Sequence, residues 1–129
     1  MSTIAIVDDD DDVRQATGGL LRSLGFRIAT FATAEAFLNS GQLHETSCLI
    51  TDVQMPGLNG FGLQDRLIAQ GHRIPIIFIT GFPEDGVRAR AMKAGAVCFL
   101  GKPYKAVELF DCLHKSLRSV SRLPGQRAI

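Results

Sequence analysis

Five short strand-like segments, separated by amphipathic segments, are the feature that most constrains the fold of this chain. They cover residues 4–7, 27–31, 48–51, 74–79 and 97–100. All but the second are almost continuously apolar, which is typical of strands that are buried on both faces. Between them, apolar residues recur at helical spacing. Strands alternating with helices predict parallel βαβ units and a single sheet with helices on both faces.

Capping and breaking residues place the ends of the predicted helices. Thr33 can cap a short second helix, and residues 83–85, Pro-Glu-Asp, suit the first turn of the fourth. Gly25, Gly71 and Gly95 end the first, third and fourth helices. Spacing predicts these inward-facing residues for the last three helices: Leu63, Leu67 and Ile68; Val87, Ala91 and Ala94; Val107, Phe110 and Leu113.

Composition limits the chain to one ordinary globular domain. It has 129 residues, of which 46% are hydrophobic and 21% are charged, and its net charge is +1. These values exclude a disordered chain, and the net charge gives no indication of binding to nucleic acid or to an anionic membrane. There is no basic leader and no apolar stretch of membrane-spanning length, so we expect a soluble, cytoplasmic protein with no membrane partner.

The three cysteines, Cys48, Cys98 and Cys112, are far apart and form no metal-ligand motif. Their odd number and wide spacing predict small buried apolar residues in a reducing compartment rather than a disulfide framework.

Polar residues follow four of the five predicted strands. Asp8 and Asp9 follow the first, Asp52 the third, Thr80 the fourth and Lys102 the fifth. The carboxyl ends of parallel strands meet at one edge of a sheet, so these groups are expected to share one crevice.

The charges of this crevice indicate its chemistry. Two carboxylates about 5 Å apart repel each other by about 3 kcal/mol at an effective dielectric constant near 20, so three acids require a cation. Oxygen-only ligands suit Mg²⁺. A carboxylate beside Mg²⁺ and a lysine can act as a nucleophile towards phosphorus, and the predicted reaction is phosphoryl transfer onto Asp52.

Four motifs together resemble those of response-regulator receiver domains of two-component signalling. They are Val7-Asp8-Asp9, Thr51-Asp52-Val53-Gln54-Met55-Pro56-Gly57, Ile79-Thr80-Gly81 and Lys102-Pro103-Tyr104. With the segment Ala91-Met92-Lys93-Ala94-Gly95-Ala96, the third motif is most similar to receivers of nitrogen-fixation-type transcriptional regulators. The resemblance covers roughly residues 3–120.

The resemblance implies a role for each of these residues. Asp52 would accept the phosphoryl group from the phosphohistidine of a sensor histidine kinase. Asp8, Asp9, Asp52 and the backbone carbonyl of Gln54 would bind Mg²⁺. Lys102 would pair with the phosphoryl group, Thr80 would move to bind it, and Phe99 would be the switch aromatic whose position follows that threonine.

The resemblance also implies a fold and a mode of action. The fold is a flavodoxin-like, doubly wound parallel sheet in the order 2-1-3-4-5, with a receiver domain over residues 3–121 and a tail or linker over 122–129. Such a domain is a signalling switch that catalyses only its own phosphorylation and dephosphorylation. Phosphorylation would alter the surface of helix 4, strand 5 and helix 5, with a homodimer as one outcome. DNA would be contacted only through an effector domain outside this chain.

Other interpretations of the same residues exist. A phosphatase of the haloacid dehalogenase type would use Asp8 as nucleophile and Asp10 as acid, but it needs a late acidic pair, for which only Glu108 and Asp111 are available. An unphosphorylated pseudo-receiver would be a plain interaction module. A calcium loop fails because Val13 and Gly19 replace the required glycine and glutamate.

Three of the proposed site residues also have an ordinary structural interpretation. Taken alone, Thr80 could be a cap, Lys102 a surface lysine and Phe99 a core residue.

Overall fold

A computed structural model of the chain describes residues 3–121, in which five strands alternate with five helices. The strands are β1 (Thr3–Val7), β2 (Arg27–Phe31), β3 (Thr46–Asp52), β4 (Ile76–Thr80) and β5 (Cys98–Gly101). The helices are α1 (Asp11–Ser23), α2 (Ala34–Leu38), α3 (Gly60–Ala69), α4 (Asp85–Lys93) and α5 (Ala106–Ser121). The predicted tail, residues 122–129, lies outside the described residues.

All neighbouring strands pair in parallel, in the order β2-β1-β3-β4-β5. The predicted doubly wound topology is therefore confirmed. The order places β1 and β3 side by side at the centre of the sheet, and β4 and β5 follow β3. The ends of the four strands that precede the predicted site residues thus adjoin one another.

The sheet separates two apolar clusters because successive side chains of a strand point to opposite faces. In β1, Ala5 and Val7 join the cluster beneath α2, α3 and α4, whereas Ile4 and Ile6 join the cluster beneath α1 and α5. Both faces of the central strands are therefore buried from solvent, which explains why their sequences are continuously apolar.

The predicted cap of α2 is confirmed, and α1 has a cap that was not predicted. The Asp10 side chain accepts hydrogen bonds from the backbone N–H groups of Asp12 and Val13 at 3.0 and 3.2 Å and so caps α1. Thr33 caps α2 by accepting from the N–H of Ala36 at 3.0 Å. Each cap satisfies a donor that the first turn of a helix leaves without a partner.

Three predicted inward-facing residues are wrong. Ile68 and Val107 are 60% and 58% exposed, and Ala94 is exposed because it follows the last turn of α4. In α5 the inward positions belong instead to Leu109 and Cys112. Spacing alone does not identify the inward residues of α3, α4 and α5, because each helix has apolar residues on more than one face and tertiary packing selects among them.

The prediction that all three cysteines are unpaired is also wrong. Cys98 at the start of β5 and Cys112 in α5 are joined as a disulfide, and only Cys48 is free and buried. A separation of 14 residues carries no pairing signal in the sequence; the packing of α5 across β5 brings the two side chains together.

The helices are amphipathic rather than apolar throughout. α5 has 16 residues and carries the exposed charged residues Glu108 and Lys115. Within residues 3–121, no helix combines the length and the apolar character that a membrane crossing requires.

Gly60 at the start of α3 packs directly against the end of β3. A Cβ atom at this position would lie 2.5 Å from the backbone oxygen of Asp52 and 3.1 Å from the Cα atom of Val53. Backbone atoms cannot move aside as a flexible side chain can, so a residue without a Cβ atom lets α3 begin this close to the sheet edge.

We predict that Gly60→Ala lowers the free energy of unfolding by about 1–3 kcal/mol, the usual cost of overpacking. Gly19→Ala is the matched control, since nothing lies within 4 Å of its added Cβ atom and alanine favours the helix by about 0.5–1 kcal/mol. Urea denaturation of both variants measures the effect. A Gly60→Ala protein as stable as the wild type would contradict the close packing.

Candidate functional site

Two buried carboxylates lie side by side at the carboxyl-terminal ends of β1 and β3. β1 and β3 are in register at Val7 and Thr51, so the next residues, Asp8 and Asp52, emerge side by side. Asp8 is fully buried and Asp52 is 6% exposed. Parallel pairing thus brings together two acids that are 44 positions apart in the sequence.

Asp9 completes a cluster of three acids. It is exposed, and its carboxylate lies with those of Asp8 and Asp52 so that one oxygen from each falls within 4.8 Å of the others. Asp8 Oδ2 is buried and has no hydrogen-bond donor directed at it. Three convergent carboxylates, one of which has a buried oxygen without a hydrogen bond, fit a hard divalent cation. In the described part of the chain, this is the one group of acids, histidines and cysteines with such an arrangement.

Lys102 brings a positive charge between the two buried acids. Its Nζ atom donates a hydrogen bond to Asp52 Oδ2 at 2.9 Å and lies 3.1 Å from Asp8 Oδ2. The latter contact is an ion pair without hydrogen-bond geometry. The prediction that strand 5 delivers a lysine to the acids is met by these distances.

Burial and charge change the pKa values of Asp8 and Lys102. Burial raises the pKa of Asp8, although the N–H of Asp10 at 2.9 Å and the ammonium group of Lys102 act in the opposite direction. Burial would lower the pKa of Lys102, but the carboxylates of Asp52 and Asp8 outweigh it and raise that pKa. The lysine therefore stays charged at neutral pH, while burial disfavours the ionised form of Asp8.

The loop after β3 is fixed to the acid cluster at one end and to α2 at the other. The N–H of Gln54 donates to Asp52 Oδ1 at 3.1 Å, so both oxygens of Asp52 have a donor. Further along, the N–H of Leu58 donates to Glu35 Oε2 at 3.2 Å. The participation of the Gln54 carbonyl in metal binding remains a prediction.

Thr80 ends β4 and is fully buried. Its hydroxyl oxygen accepts a hydrogen bond from the N–H of Phe82 at 3.0 Å, and its carbonyl oxygen accepts one from the N–H of Lys102 at 2.7 Å. The threonine backbone thus positions the lysine, while its side chain caps the following turn.

Phe99 is a core residue in this structure. It is 4% exposed, belongs to the cluster beneath α2, α3 and α4, and pairs with Phe78 in the register of β4 and β5. The guanidinium group of Arg88 in α4 lies 4.9 Å from the centre of its ring. A cation over an aromatic face is attractive, so α4 is held against this ring by charge as well as by packing.

Three contacts at the site were not predicted. Arg14 donates to the backbone oxygen of Asp8 at 2.7 Å and forms an ion pair with Asp11. The spacing of Asp11 and Arg14, three residues apart on a helix, was a signal available in the sequence. Thr17 and Tyr104 are hydrogen-bonded through their hydroxyl groups, which joins α1 to the loop after β5, and no sequence pattern indicates this contact.

The sequence matches the family model described as the response regulator receiver domain over residues 4–114. It is 43% identical over 118 residues to the response regulator protein TmoT of Ectopseudomonas mendocina, covering 91% of this chain and 53% of that protein. It is 40% identical over 127 residues to the response regulator protein TodT of Pseudomonas putida, covering 98% of this chain and 55% of that protein. The chain spans about half the length of these curated relatives.

A solved structure is similar over almost the whole domain. The crystal structure of FixJ-N superimposes with a TM-score of 0.82 at 32% identity, covering 92% of this chain and 94% of that chain. Family model, relatives and fold agree with the resemblance drawn from the motifs. The chain therefore belongs to the response-regulator receiver domains of two-component systems, and its fold is the flavodoxin-like fold of that family.

Proposed function

We propose that this domain accepts a phosphoryl group on Asp52 from the phosphohistidine of a sensor histidine kinase, in a Mg²⁺-dependent reaction. The observation that carries the proposal is the position of Lys102 Nζ, 2.9 Å from Asp52 and 3.1 Å from Asp8 at the edge of the sheet. A lysine between two buried carboxylates is the charge arrangement that a phosphoryl group requires when it arrives at one of them.

In the proposed reaction an Asp52 carboxylate oxygen attacks phosphorus. The bond between phosphorus and the histidine nitrogen breaks, and an acyl phosphate forms. Lys102 balances charge on the phosphoryl oxygens, and the N–H of Gln54 holds the Asp52 carboxylate in place. Asp8, Asp9, Asp52 and the Gln54 carbonyl would hold Mg²⁺, which would neutralise negative charge that Lys102 alone cannot.

The proposed switch uses Thr80 and Phe99. The Thr80 hydroxyl would leave the N–H of Phe82 and donate to a phosphoryl oxygen. Phe99 is already buried, so its response would be a shift within the packed cluster, against Arg88, and not an entry from solvent. Such a shift would reach the surface formed by α4, β5 and α5.

Partners and location follow from the same proposal. The domain would act in the cytoplasm as a signalling switch that catalyses only its own phosphorylation and dephosphorylation. The receiver would extend over residues 3–121, with 122–129 as tail or linker. The phosphorylated surface would bind a partner or a second copy, and DNA would be contacted only through an effector domain.

The phosphatase alternative has little support. Within residues 3–121, the acid cluster consists of Asp8, Asp9 and Asp52, and does not include Glu108 or Asp111. A phosphatase of that type would need a late acidic pair in the same cluster. A pseudo-receiver would be expected to lack at least one of the five residues that follow the strands at the site. All five are present in this sequence: Asp8, Asp9, Asp52, Thr80 and Lys102.

We predict that Asp52→Asn abolishes phosphorylation, because an amide is a poor nucleophile and removes one metal ligand. Intact-protein mass, recorded after incubation with a small phosphodonor with and without Mg²⁺, measures the adduct. Asp12→Asn is the matched control, since Asp12 is exposed and has no part in the cluster. Equal phosphoryl uptake by wild type and Asp52→Asn would assign the acceptor elsewhere.

We predict that Asp8→Asn raises the free energy of unfolding at pH 7 without divalent metal, by about 1 kcal/mol, the scale of a typical single substitution. The pKa of Asp8 is raised in the fold, so its stabilising contribution is largest below its ordinary pKa of 3.8 and declines as pH rises through the raised value. The advantage of the variant should therefore be small near pH 3 and larger at pH 7.

In the presence of Mg²⁺, the wild type should be more stable than Asp8→Asn. Free Mg²⁺ at a hundred times its dissociation constant stabilises a binding-competent fold by about 2.7 kcal/mol, and Asp8→Asn should gain much less. Thermal unfolding in EDTA and in Mg²⁺ provides the comparison, again with Asp12→Asn as control. An Asp8→Asn protein that gains as much from Mg²⁺ as the wild type would exclude Asp8 from the metal site.

A further inference from the structure

A cysteine pair connects β5 to α5 on the face of the sheet opposite Phe99. The disulfide joins Cys98 and Cys112, whose Cα atoms are 5.8 Å apart, within the range in which disulfides form without backbone movement. The two residues are 8% and 5% exposed and belong to the cluster beneath α1 and α5. The pair is thus built into the packing of the domain.

The third cysteine shows that this pairing is selective. Cys48 lies in the same apolar cluster, yet it is free and fully buried. Burial raises the pKa of its thiol to about 12, so it remains protonated at neutral pH. Cys48 therefore offers a control that shares the environment of the pair but not its geometry.

We propose that Cys98 and Cys112 form a redox-modification site that cycles between a dithiol and a disulfide. The family of this chain and the proposed cytoplasmic location make a permanent disulfide unexpected, because disulfides in reducing compartments are usually transient and redox-sensing. The oxidant is a small hydroperoxide, because the low exposure of both residues disfavours attack on a protein disulfide.

Oxidation of the pair would proceed in two steps. The thiolate of one cysteine attacks the peroxide oxygen, forms a sulfenic acid and releases hydroxide or alkoxide, which takes up the thiol proton. The second sulfur then attacks the sulfenic sulfur, and water leaves. In total, two thiols and one hydroperoxide give one disulfide, one alcohol or water, and one further water. A small dithiol reverses the change by thiol–disulfide exchange and becomes oxidised itself.

The cysteine pair lies on the same segment as the proposed switch residue and the site lysine. Cys98 immediately precedes Phe99 and lies four residues before Lys102 on the same segment. The disulfide ties this segment to α5, one of the elements whose surface is proposed to respond to phosphorylation. This regulatory role rests on the proposed function: oxidation would limit the movement of α5 relative to β5 while leaving the acid cluster intact.

The chemistry is tested with fully reduced protein treated with hydrogen peroxide. We expect the intact mass to fall by two hydrogen atoms and a non-reducing peptide map to link residue 98 to residue 112. Cys48→Ala should still form this link, and both Cys98→Ala and Cys112→Ala should lose it. Dithiothreitol should restore the starting mass. Oxidation only to sulfinic acid, or a link through Cys48, would overturn the proposal.

A stability measurement confirms that the link forms in the native fold. A disulfide that closes a loop of this length should raise the midpoint of thermal unfolding by roughly 5–15 °C in the oxidised over the reduced protein. Cys112→Ala should show no such difference after the same treatment. Equal midpoints for the oxidised and reduced wild type would mean that the link is not made in the folded state.

The regulatory effect is tested by hydrogen exchange before and after phosphorylation. Both redox forms should take up the phosphoryl group on Asp52, but the change in α5 amide exchange should be at least several-fold smaller in the oxidised form. Equal changes in both forms would overturn the regulatory role. Absence of phosphorylation in either form would instead refute the proposed function, while the peptide map would still decide the cysteine chemistry.

Discussion

The ion pairs of Lys102 with Asp52 and Asp8 are the interactions around which the rest of the domain is arranged. Two buried carboxylates lie 2.9 and 3.1 Å from one ammonium group. They are brought together because the parallel sheet places the carboxyl ends of β1, β3 and β5 on the same side. A single lysine leaves the acid cluster with excess negative charge. The folded domain thus holds uncompensated negative charge, which a bound cation would neutralise.

Apolar packing in the sheet beneath the site offsets the unfavourable free energy of this uncompensated charge. β1 and β3 are buried on both faces, and their apolar side chains fill two separate clusters. Burial raises the pKa of Asp8, so the ionised group destabilises the fold that positions it. Functional sites commonly weaken the fold that carries them, and the strength of the surrounding core decides whether this is tolerated.

The sequence was sufficient to predict the sheet and the residues at its edge. Strand residues here are buried on both sides, so apolar runs mark them clearly, and the order of parallel strands then brings Asp8, Asp52 and Lys102 together. The inner faces of the helices were less predictable. Ile68 and Val107 are as apolar as their buried neighbours, and only the packed structure distinguishes them. The pairing of Cys98 with Cys112 depends on how α5 crosses β5, for which no local pattern exists.

β5 carries more of the proposed mechanism than any other strand, although it is an edge strand of four residues. Its alternating side chains face two environments: Cys98 points towards α5, Phe99 towards α4, and the segment then delivers Lys102 to the acids. An edge strand has only one neighbour, so it can shift with less disruption than β1 or β3. A change at the phosphoacceptor and a change at the cysteine pair would both act on this strand, from opposite faces. The two signals would therefore be coupled through its displacement, with no need for direct contact between the sites.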